Sequence, residues 1–148
     1  MTQEDKDLLL KDLCARLPYG IKFPITVKNP ITSEPIETIG TISDINRYGI
    51  VSFVWDYEGQ EILVKDTLHI KDVKPYLFPL SSMTEEQKKE LYNTFNQEDG
   101  ECEKIEINDL ELCIYRKSFL EFLNKYHFDW MGLIPNGLAL DVTGLNIY

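Results

Sequence analysis

The chain has 148 residues, of which 43% are hydrophobic and 27% are charged, a balance typical of a globular protein with its own core. The net charge is −10, from 25 acidic and 15 basic residues, so the chain lacks the basic surface that direct nucleic-acid binding requires. No apolar run approaches the roughly 20 residues that cross a bilayer, and the acidic opening residues do not have the pattern of a signal peptide. We therefore expect a cytoplasmic protein that binds neither nucleic acid nor membrane.

The negative charge is concentrated in residues 81–112. This stretch holds ten acidic residues and three lysines, and so carries seven of the ten excess negative charges. The pattern is typical of a solvated acidic helix and loop that improve solubility. A sharper alternative is an acidic decoy, in which residues 85–111 bind a basic nucleic-acid-binding protein.

Residues 3–17 are predicted to form a helix. Thr2 is a suitable N-cap, two acidic residues in the first turn favour the helix dipole, and Pro18 and Gly20 end the pattern. The apolar face, which we expect to pack on the core, consists of leucines at three- and four-residue steps: Leu9, Leu10, Leu13 and Leu17.

Residues 21–77 contain short strand patterns separated by turn residues. Pro24 has no N–H for a strand ladder, which predicts an edge position for the first strand, and Gly40 indicates a bend in the second. Four or five such strands predict a small SH3-like barrel or meander, with an open sheet backed by the first helix as the alternative. Turns are predicted at residues 46–49 and 56–59, and strands at residues 21–28, around Gly40, and at residues 50–55, 61–65 and 68–73.

The second half of the chain is predicted to contain a helix, a hairpin and a second helix. Thr84 and Gln87 have the spacing of a capping box that begins one helix, and Ser118 and Glu121 have the same spacing before the other. Alternating apolar residues on both sides of residues 108–109 predict the hairpin between them.

These patterns predict an α+β fold. Residues 1–80 form the first helix and the barrel, and residues 81–148 form a C-terminal helix–hairpin–helix extension packed on it, with one single domain as the alternative. The apolar tail after residue 127 is expected to pack back on the body of the protein.

Cys113, His127 and Asp129 are the best candidates for catalysis. Their residue types match the nucleophile, the base and the orienting group of a cysteine-dependent hydrolase. The sequence around Cys113 has no nucleophile-elbow glycine, so the cysteine-dependent hydrolase is kept as an alternative hypothesis.

Metal and cofactor patterns are absent from the sequence. The two histidines, His69 and His127, lie in different predicted elements, whereas tetrahedral zinc sites draw on clustered ligands. Neither GxGxxG nor GxxxxGK occurs, so no phosphate cradle is predicted. We expect no metal and no cofactor.

Aromatic residues near the predicted turns favour a protein partner. Tyr48, Tyr57 and Tyr76 lie where a peptide could reach them, and Trp130 in the tail is a residue type enriched in interface hot spots. The leading hypothesis is therefore a non-enzymatic protein-interaction or regulatory module. The patterns identify neither the partner protein nor the oligomeric state.

Three segments carry a resemblance to known proteins: KDLCARLPYG (11–20), KPYLFPLSSMTEE (74–86) and HFDWMGLIPNGLALD (127–141). They resemble segments of short uncharacterised proteins of gut Bacteroidetes, their phages and mobile elements. The resemblance implies a bacterial or phage setting and an accessory, host-interaction or regulatory role. It implies no activity, cofactor or site residue.

Overall fold

The computed structural model describes residues 1–29, 31–56, 66–95, 103–107, 110–114 and 116–148. It confirms a mixed α+β fold, in which an antiparallel sheet of four strands curls into a half-barrel against the first helix. Two further strand pairs, two further α-helices and three short 3-10 helices complete the elements that the structure describes. None of the helices in this part is long and apolar enough to cross a membrane.

Helix α1 spans Gln3–Arg16 and begins at the predicted N-cap. The Thr2 hydroxyl accepts from the Asp5 amide at 3.1 Å, and the Asp5 carboxylate accepts from the Thr2 amide at 2.7 Å. This capping box satisfies two main-chain donors that the start of a helix leaves unpaired. Leu9 and Leu13 are fully buried in the same cluster as the sheet, which confirms the predicted packing face.

The half-barrel consists of β1 (Lys22–Lys28), β2 (Pro35–Ile45), β3 (Ile50–Trp55) and β4 (Asp66–His69) in that order, with antiparallel neighbours. β1 is an edge strand, as Pro24 predicts, and β3 has the predicted bounds. The strand predicted at residues 68–73 has the wrong bounds, because β4 ends at His69 and the chain continues into a 3-10 turn. The strand expected at residues 61–65 lies outside the described residues, as does most of the turn at residues 56–59.

Close packing accounts for the glycine at position 40, and the predicted bend there stays a prediction. A Cβ atom at this position would lie 2.9 Å from Cε1 of Phe23 and 3.3 Å from Cδ2 of Phe53. The two rings meet edge to face, with 5.4 Å between their centroids, and use the space that glycine leaves. The irregularity of β2 comes later, as a register shift between Ile42 and Asp44.

The remaining elements are β5 (Tyr76–Leu77), α2 (Glu85–Phe95), β6 (Glu103–Ile107), β7 (Leu110–Ile114), α3 (Arg116–Lys125) and β8 (Leu140–Asp141). β6 and β7 pair as an antiparallel hairpin, whereas β5 and β8 pair in parallel. The capping box of α2 is present, because the side chains of Thr84 and Gln87 each accept the other residue's amide hydrogen. α3 begins at Arg116, before the predicted cap at Ser118.

The buried residues that the structure describes form two apolar clusters. The first lies between α1 and the half-barrel and includes Leu133, Leu138 and Ala139, which confirms that the tail packs on the body of the protein. The second joins α2 and α3 around Phe128. The division into domains at residues 80 and 81 stays a prediction.

A buried ion pair at the end of α1 connects this helix to α3. Asp12 and Arg16 are both 0% exposed, and both oxygens of the carboxylate accept from the guanidinium at 2.8 Å. The guanidinium also donates to the carbonyl oxygens of Leu123, at 3.3 Å, and Phe128, at 2.7 Å. Arg16 therefore ties α1 to the last turn of α3 and to the segment that follows it.

We predict that Arg16→Met destabilises the protein by about 3–5 kcal/mol, because it leaves the Asp12 carboxylate buried without a counter-charge. The double variant Asp12→Leu/Arg16→Met should be less destabilised than Arg16→Met alone, since it removes both charges. Urea unfolding followed by circular dichroism measures both free energies. Lys11→Met, on the exposed side of the same helix, is the matched control and should change stability by less than about 0.5 kcal/mol. Equal stability of Arg16→Met and Lys11→Met would contradict this role.

Candidate functional site

An open groove of about 600 Å³ lies at the seam of the half-barrel, with β1 and β2 on one side and β4 and the segment after it on the other. This volume falls in the range of about 300–1,000 Å³ that ligand-binding pockets occupy. We call it the seam groove, and its lining residues are Pro24, Ile25, Thr26, Glu37, Thr38, Ile39, Leu68, Asp72 and Tyr76.

The floor of the seam groove is the concave face of the sheet. Ile25 and Thr38 are register partners, and strand alternation places Ile25 on the same face as the buried Phe23. Leu68 is the register partner of Val51, which is buried in the first cluster. Because Ile25 and Leu68 both pack partly against that cluster, the apolar part of the floor is continuous with the core.

The edge of β1 points its free main-chain groups away from the sheet. The Ile42 amide donates to the carbonyl of Ile21 at 2.9 Å, so the main-chain groups of Ile21 face β2. These directions alternate along an antiparallel strand, and those of Lys22, Pro24 and Thr26 therefore face away from β2.

The outward groups of β1 are occupied at one end of the strand. The Lys22 amide donates to the Tyr148 hydroxyl at 3.2 Å, and Pro24 has no N–H to donate. In the part of the chain that the structure describes, the Thr26 amide has no acceptor. From Pro24 onward, β1 presents unpaired main-chain groups to the seam groove.

The described charged residues that line the seam groove are acidic. Glu37 and Asp72 are exposed, and neither forms an ion pair with another described residue. No lysine or arginine is among the lining residues that the structure describes. The chain as a whole carries the same sign of charge, −10, so a cationic ligand is favoured over an anionic one.

Tyr76 lines the seam groove, whereas the other predicted aromatic residues that the structure describes lie elsewhere. Tyr48 is 72% exposed at the turn between β2 and β3, where its hydroxyl and ring contact the neighbouring arginine. Trp130 is half-buried against the second cluster and donates to Oδ1 of Asn124 at 2.9 Å. Tyr57 lies outside the described residues.

The three residues of the alternative hydrolase lie on different segments. Cys113 is on β7, and its side chain is outside the described part of the structure. His127 is 4% exposed, and its Nδ1 atom has no hydrogen-bond partner among the described residues. Both oxygens of Asp129 accept from main-chain amides, those of Leu133 and Ile134, at 2.8 Å each. The hydrolase therefore stays a prediction.

The left-handed backbone of His127, at φ 57°, belongs to the end of α3. The His127 amide donates to the Asn124 carbonyl at 3.2 Å and the Phe128 amide donates to the Leu123 carbonyl at 2.9 Å, which are the two bonds of a Schellman motif. The carbonyls at such a helix end carry partial negative charge, and the guanidinium of Arg16 binds there. The unusual backbone of His127 thus has a structural explanation.

Tyr148 stacks on His127, with 3.7 Å between ring centroids and 12° between ring planes. Its hydroxyl donates to the carbonyl of Tyr76 at 2.8 Å and accepts from the amide of Lys22. The Lys22 ammonium lies 5.4 Å from the centroid of the Tyr148 ring and donates to the carbonyl of Ile147. Tyr148 thereby joins the edge of β1 to β5 beside the seam groove.

Burial shifts the pKa values of both stacked rings. It lowers the pKa of His127 to about 4, helped by the charge of Arg16 and opposed by a hydrogen bond with the main chain of Tyr19. It raises the pKa of Tyr148 to about 12, opposed by the donating amide of Lys22. Both rings are therefore neutral near pH 7.

The contacts of Arg16 and those of Tyr148 are not among the predictions from the sequence. Arg16 follows Leu9 and Leu13 at the spacing of one helix face, and Asp12 precedes it by one turn, so a signal for a buried pair is present in the sequence. Tyr148 has no comparable signal, because its contacts depend on where α3 ends.

Comparisons with known proteins assign no function to the seam groove. No family model, no curated protein and no solved structure matches the chain. Among the residues that the structure describes, no group of three or more histidine, cysteine, aspartate or glutamate side chains is placed to hold a metal ion. Within the described ranges, the seam groove is the candidate functional site because it combines apolar side chains, an unpaired strand edge and charged lining residues of one sign.

We predict that the fold loses stability between pH 6.5 and about pH 4 through His127. Its folded pKa of about 4 is below the ordinary value of 6.5, so the unfolded chain binds the proton first as the pH falls. The contribution is fully present above pH 6.5, decreases by up to about 1.4 kcal/mol per pH unit, and levels off below about pH 4. Urea unfolding at a series of pH values measures this slope.

His127→Asn is the test variant, since asparagine tolerates a left-handed backbone and does not titrate in this range. It should lose most of the decrease in unfolding free energy between about pH 6.5 and about pH 5. His69→Asn, at the exposed end of β4, is the matched control and should keep the wild-type slope. A His127→Asn protein with the full wild-type slope would contradict the assignment.

Proposed function

We propose that the protein is a non-enzymatic protein-interaction module, in which the seam groove binds an extended segment of a partner protein. The observation that carries the proposal is the combination of an apolar floor with an unpaired main-chain edge along one side of the groove. Extended peptides bind sites of this kind because the edge supplies hydrogen bonds and the floor accepts alternate side chains.

Tyr76 supports the proposal from the other side of the groove. Tyrosine is enriched in protein interfaces because its ring is apolar and its hydroxyl can form a hydrogen bond. The main chain of Tyr76 is held by the Tyr148 hydroxyl and by the pairing of β5 with β8. The ring is therefore attached to a well-supported segment, which lowers the entropy lost when a partner binds.

The proposal extends to two features of the fold. We relate the curled meander to SH3-like barrels, because four consecutive antiparallel strands form a half-barrel. We further propose that residues 81–148 are a helix–hairpin–helix extension, which is supported by the order of α2, β6, β7 and α3 along the chain.

The other hypotheses from the sequence stay predictions. The hydrolase with Cys113 and His127 requires a side chain outside the described part of the structure. The acidic decoy depends on residues 85–111, part of which lies outside it as well. A regulatory role and a bacterial or phage origin are supported by the resemblance alone.

We predict that panning a random peptide library displayed on phage enriches peptides that bind the immobilised protein and fail to bind Glu37→Lys/Asp72→Lys. Both acids are exposed, so the variant should stay within about 0.5 kcal/mol of wild-type stability per substitution. Binding of the enriched peptides should weaken by about 10-fold or more, because the reversal replaces attraction by like-charge repulsion. Isothermal titration calorimetry with synthetic copies of the peptides measures this change.

The matched control is Glu4→Lys/Glu34→Lys, which reverses two exposed acids outside the seam groove and has the same net charge as the test variant. The enriched peptides should bind this control and the wild-type protein alike. If no peptide is enriched, or if both double variants lose binding equally, binding in the seam groove is contradicted.

A further inference from the structure

We infer that the partner segment binds as an added β-strand on the edge of β1, at residues 24–26, and that it alternates apolar and basic side chains. The inference rests on the proposed function and adds the mode of binding and the chemistry of the partner. Its starting point is the main chain of β1, whose outward groups are defined by the pairing with β2.

The edge of β1 is open at one place. The Tyr148 hydroxyl already accepts from the Lys22 amide, and the missing N–H of Pro24 interrupts the row of donors. The Thr26 amide and the carbonyls of Pro24 and Thr26 remain, and none of them has a partner within the described ranges. An incoming strand can pair with these groups, as extended peptides do when they add to a sheet edge.

A strand on this edge lies over the apolar floor of the seam groove. Successive side chains of a strand point to opposite sides, so every second side chain of the partner points toward Ile25 and Leu68. These two side chains are half-buried in the free protein, and covering them removes further apolar surface from water. Apolar residues are therefore expected at alternate positions of the partner.

The side chains between the apolar positions meet the charged lining of the groove. Glu37 and Asp72 are its charged residues, and in the described structure neither has a counter-charge. Lysine or arginine at the intervening positions gains attraction from these carboxylates, and the net charge of −10 accelerates the encounter with a cationic segment. An acidic segment is disfavoured for the same reason.

A second copy of this chain is the competing occupant of the edge. Two copies each bring Glu37 and Asp72 to the contact, and each carries a net charge of −10, so they repel one another. Pro24 would also interrupt the pairing of two identical edges. A cationic partner avoids the charge repulsion and does not bring a second proline to the contact.

The test uses a fluorescein-labelled octapeptide of alternating lysine and valine, whose binding to the full chain is measured by fluorescence anisotropy. Thr26→Pro removes the outward N–H of the edge without breaking a bond to β2, and Thr26→Ala is the matched control that keeps this N–H. We expect Thr26→Ala to bind the probe as the wild-type protein does, and Thr26→Pro to bind it about 10-fold or more weakly. An octapeptide of alternating glutamate and valine should not bind.

A second measurement leaves the protein unchanged and so does not depend on the folding of Thr26→Pro. The probe is synthesised in two forms, with N-methyl groups on alternate main-chain nitrogens in one register or the other. Only one register places methyl groups on the nitrogens that face β1. That form should lose binding, and the other form should keep it.

Three results would overturn the inference. Strand addition is overturned if the two N-methylated probes bind equally and Thr26→Pro binds the probe as tightly as Thr26→Ala does. In that case, weaker binding of the library peptides to Glu37→Lys/Asp72→Lys would still support the seam groove. Absence of saturation by the lysine–valine probe up to about 1 mM, while library peptides bind, overturns the basic alternating chemistry. If the wild-type chain forms a dimer and only the Thr26→Pro variant is monomeric, the edge binds a second copy of the chain instead. Failure to enrich any library peptide contradicts the proposed function instead.

Discussion

The guanidinium of Arg16 is the group on which the arrangement of the other elements depends. It is fully buried and donates to Asp12 on its own helix and to the carbonyls of Leu123 and Phe128 at the end of α3. Removing Asp12 from the buried pair would cost about 3–5 kcal/mol. Removing a carbonyl acceptor would leave a buried donor unsatisfied, which also costs free energy, so the folded chain keeps these acceptors together. α1 packs on the half-barrel, and α3 belongs to the second cluster. The bonds of Arg16 therefore fix the position of one helix relative to the other.

This contact reaches the seam groove through the end of α3. His127 occupies the left-handed position of the Schellman motif, next to the carbonyls that Arg16 binds, and its ring supports Tyr148. Tyr148 in turn accepts from the Lys22 amide at the start of β1. The unpaired part of the edge begins just beyond, at Pro24. The end of a helix in the second cluster therefore determines where the main-chain wall of the groove begins.

Local patterns predict the features that depend on a few neighbouring residues. The Thr2 cap, the edge position of Pro24 and the bounds of β3 follow from spacing and residue type, and the structure agrees with each of them. The features that the patterns leave out depend on distant residues. Arg16 resembles an ordinary basic residue in the last turn of a helix until its carbonyl partners, more than a hundred positions later, are beside it. Gly40 suggests a bend because the two rings that require it are not neighbours in the sequence, and the seam groove depends on the curl of the whole sheet.

The two edges of the half-barrel differ in a way that favours β1 as the docking edge. At the β4 edge, the Ile70 amide donates to the carbonyl of Gly49 at 2.8 Å, and alternation then turns the amide of Thr67 outward. That amide donates to the Asp66 carboxylate at 2.7 Å, so a local side chain blocks the position. The Thr26 amide on β1 has no carboxylate beside it in the strand. Proteins usually protect exposed edges against pairing with other chains. Among the described residues, the β4 edge is blocked and the β1 edge, beside the apolar side chains of the groove, is open. A partner strand that pairs with the β1 edge explains this difference most simply.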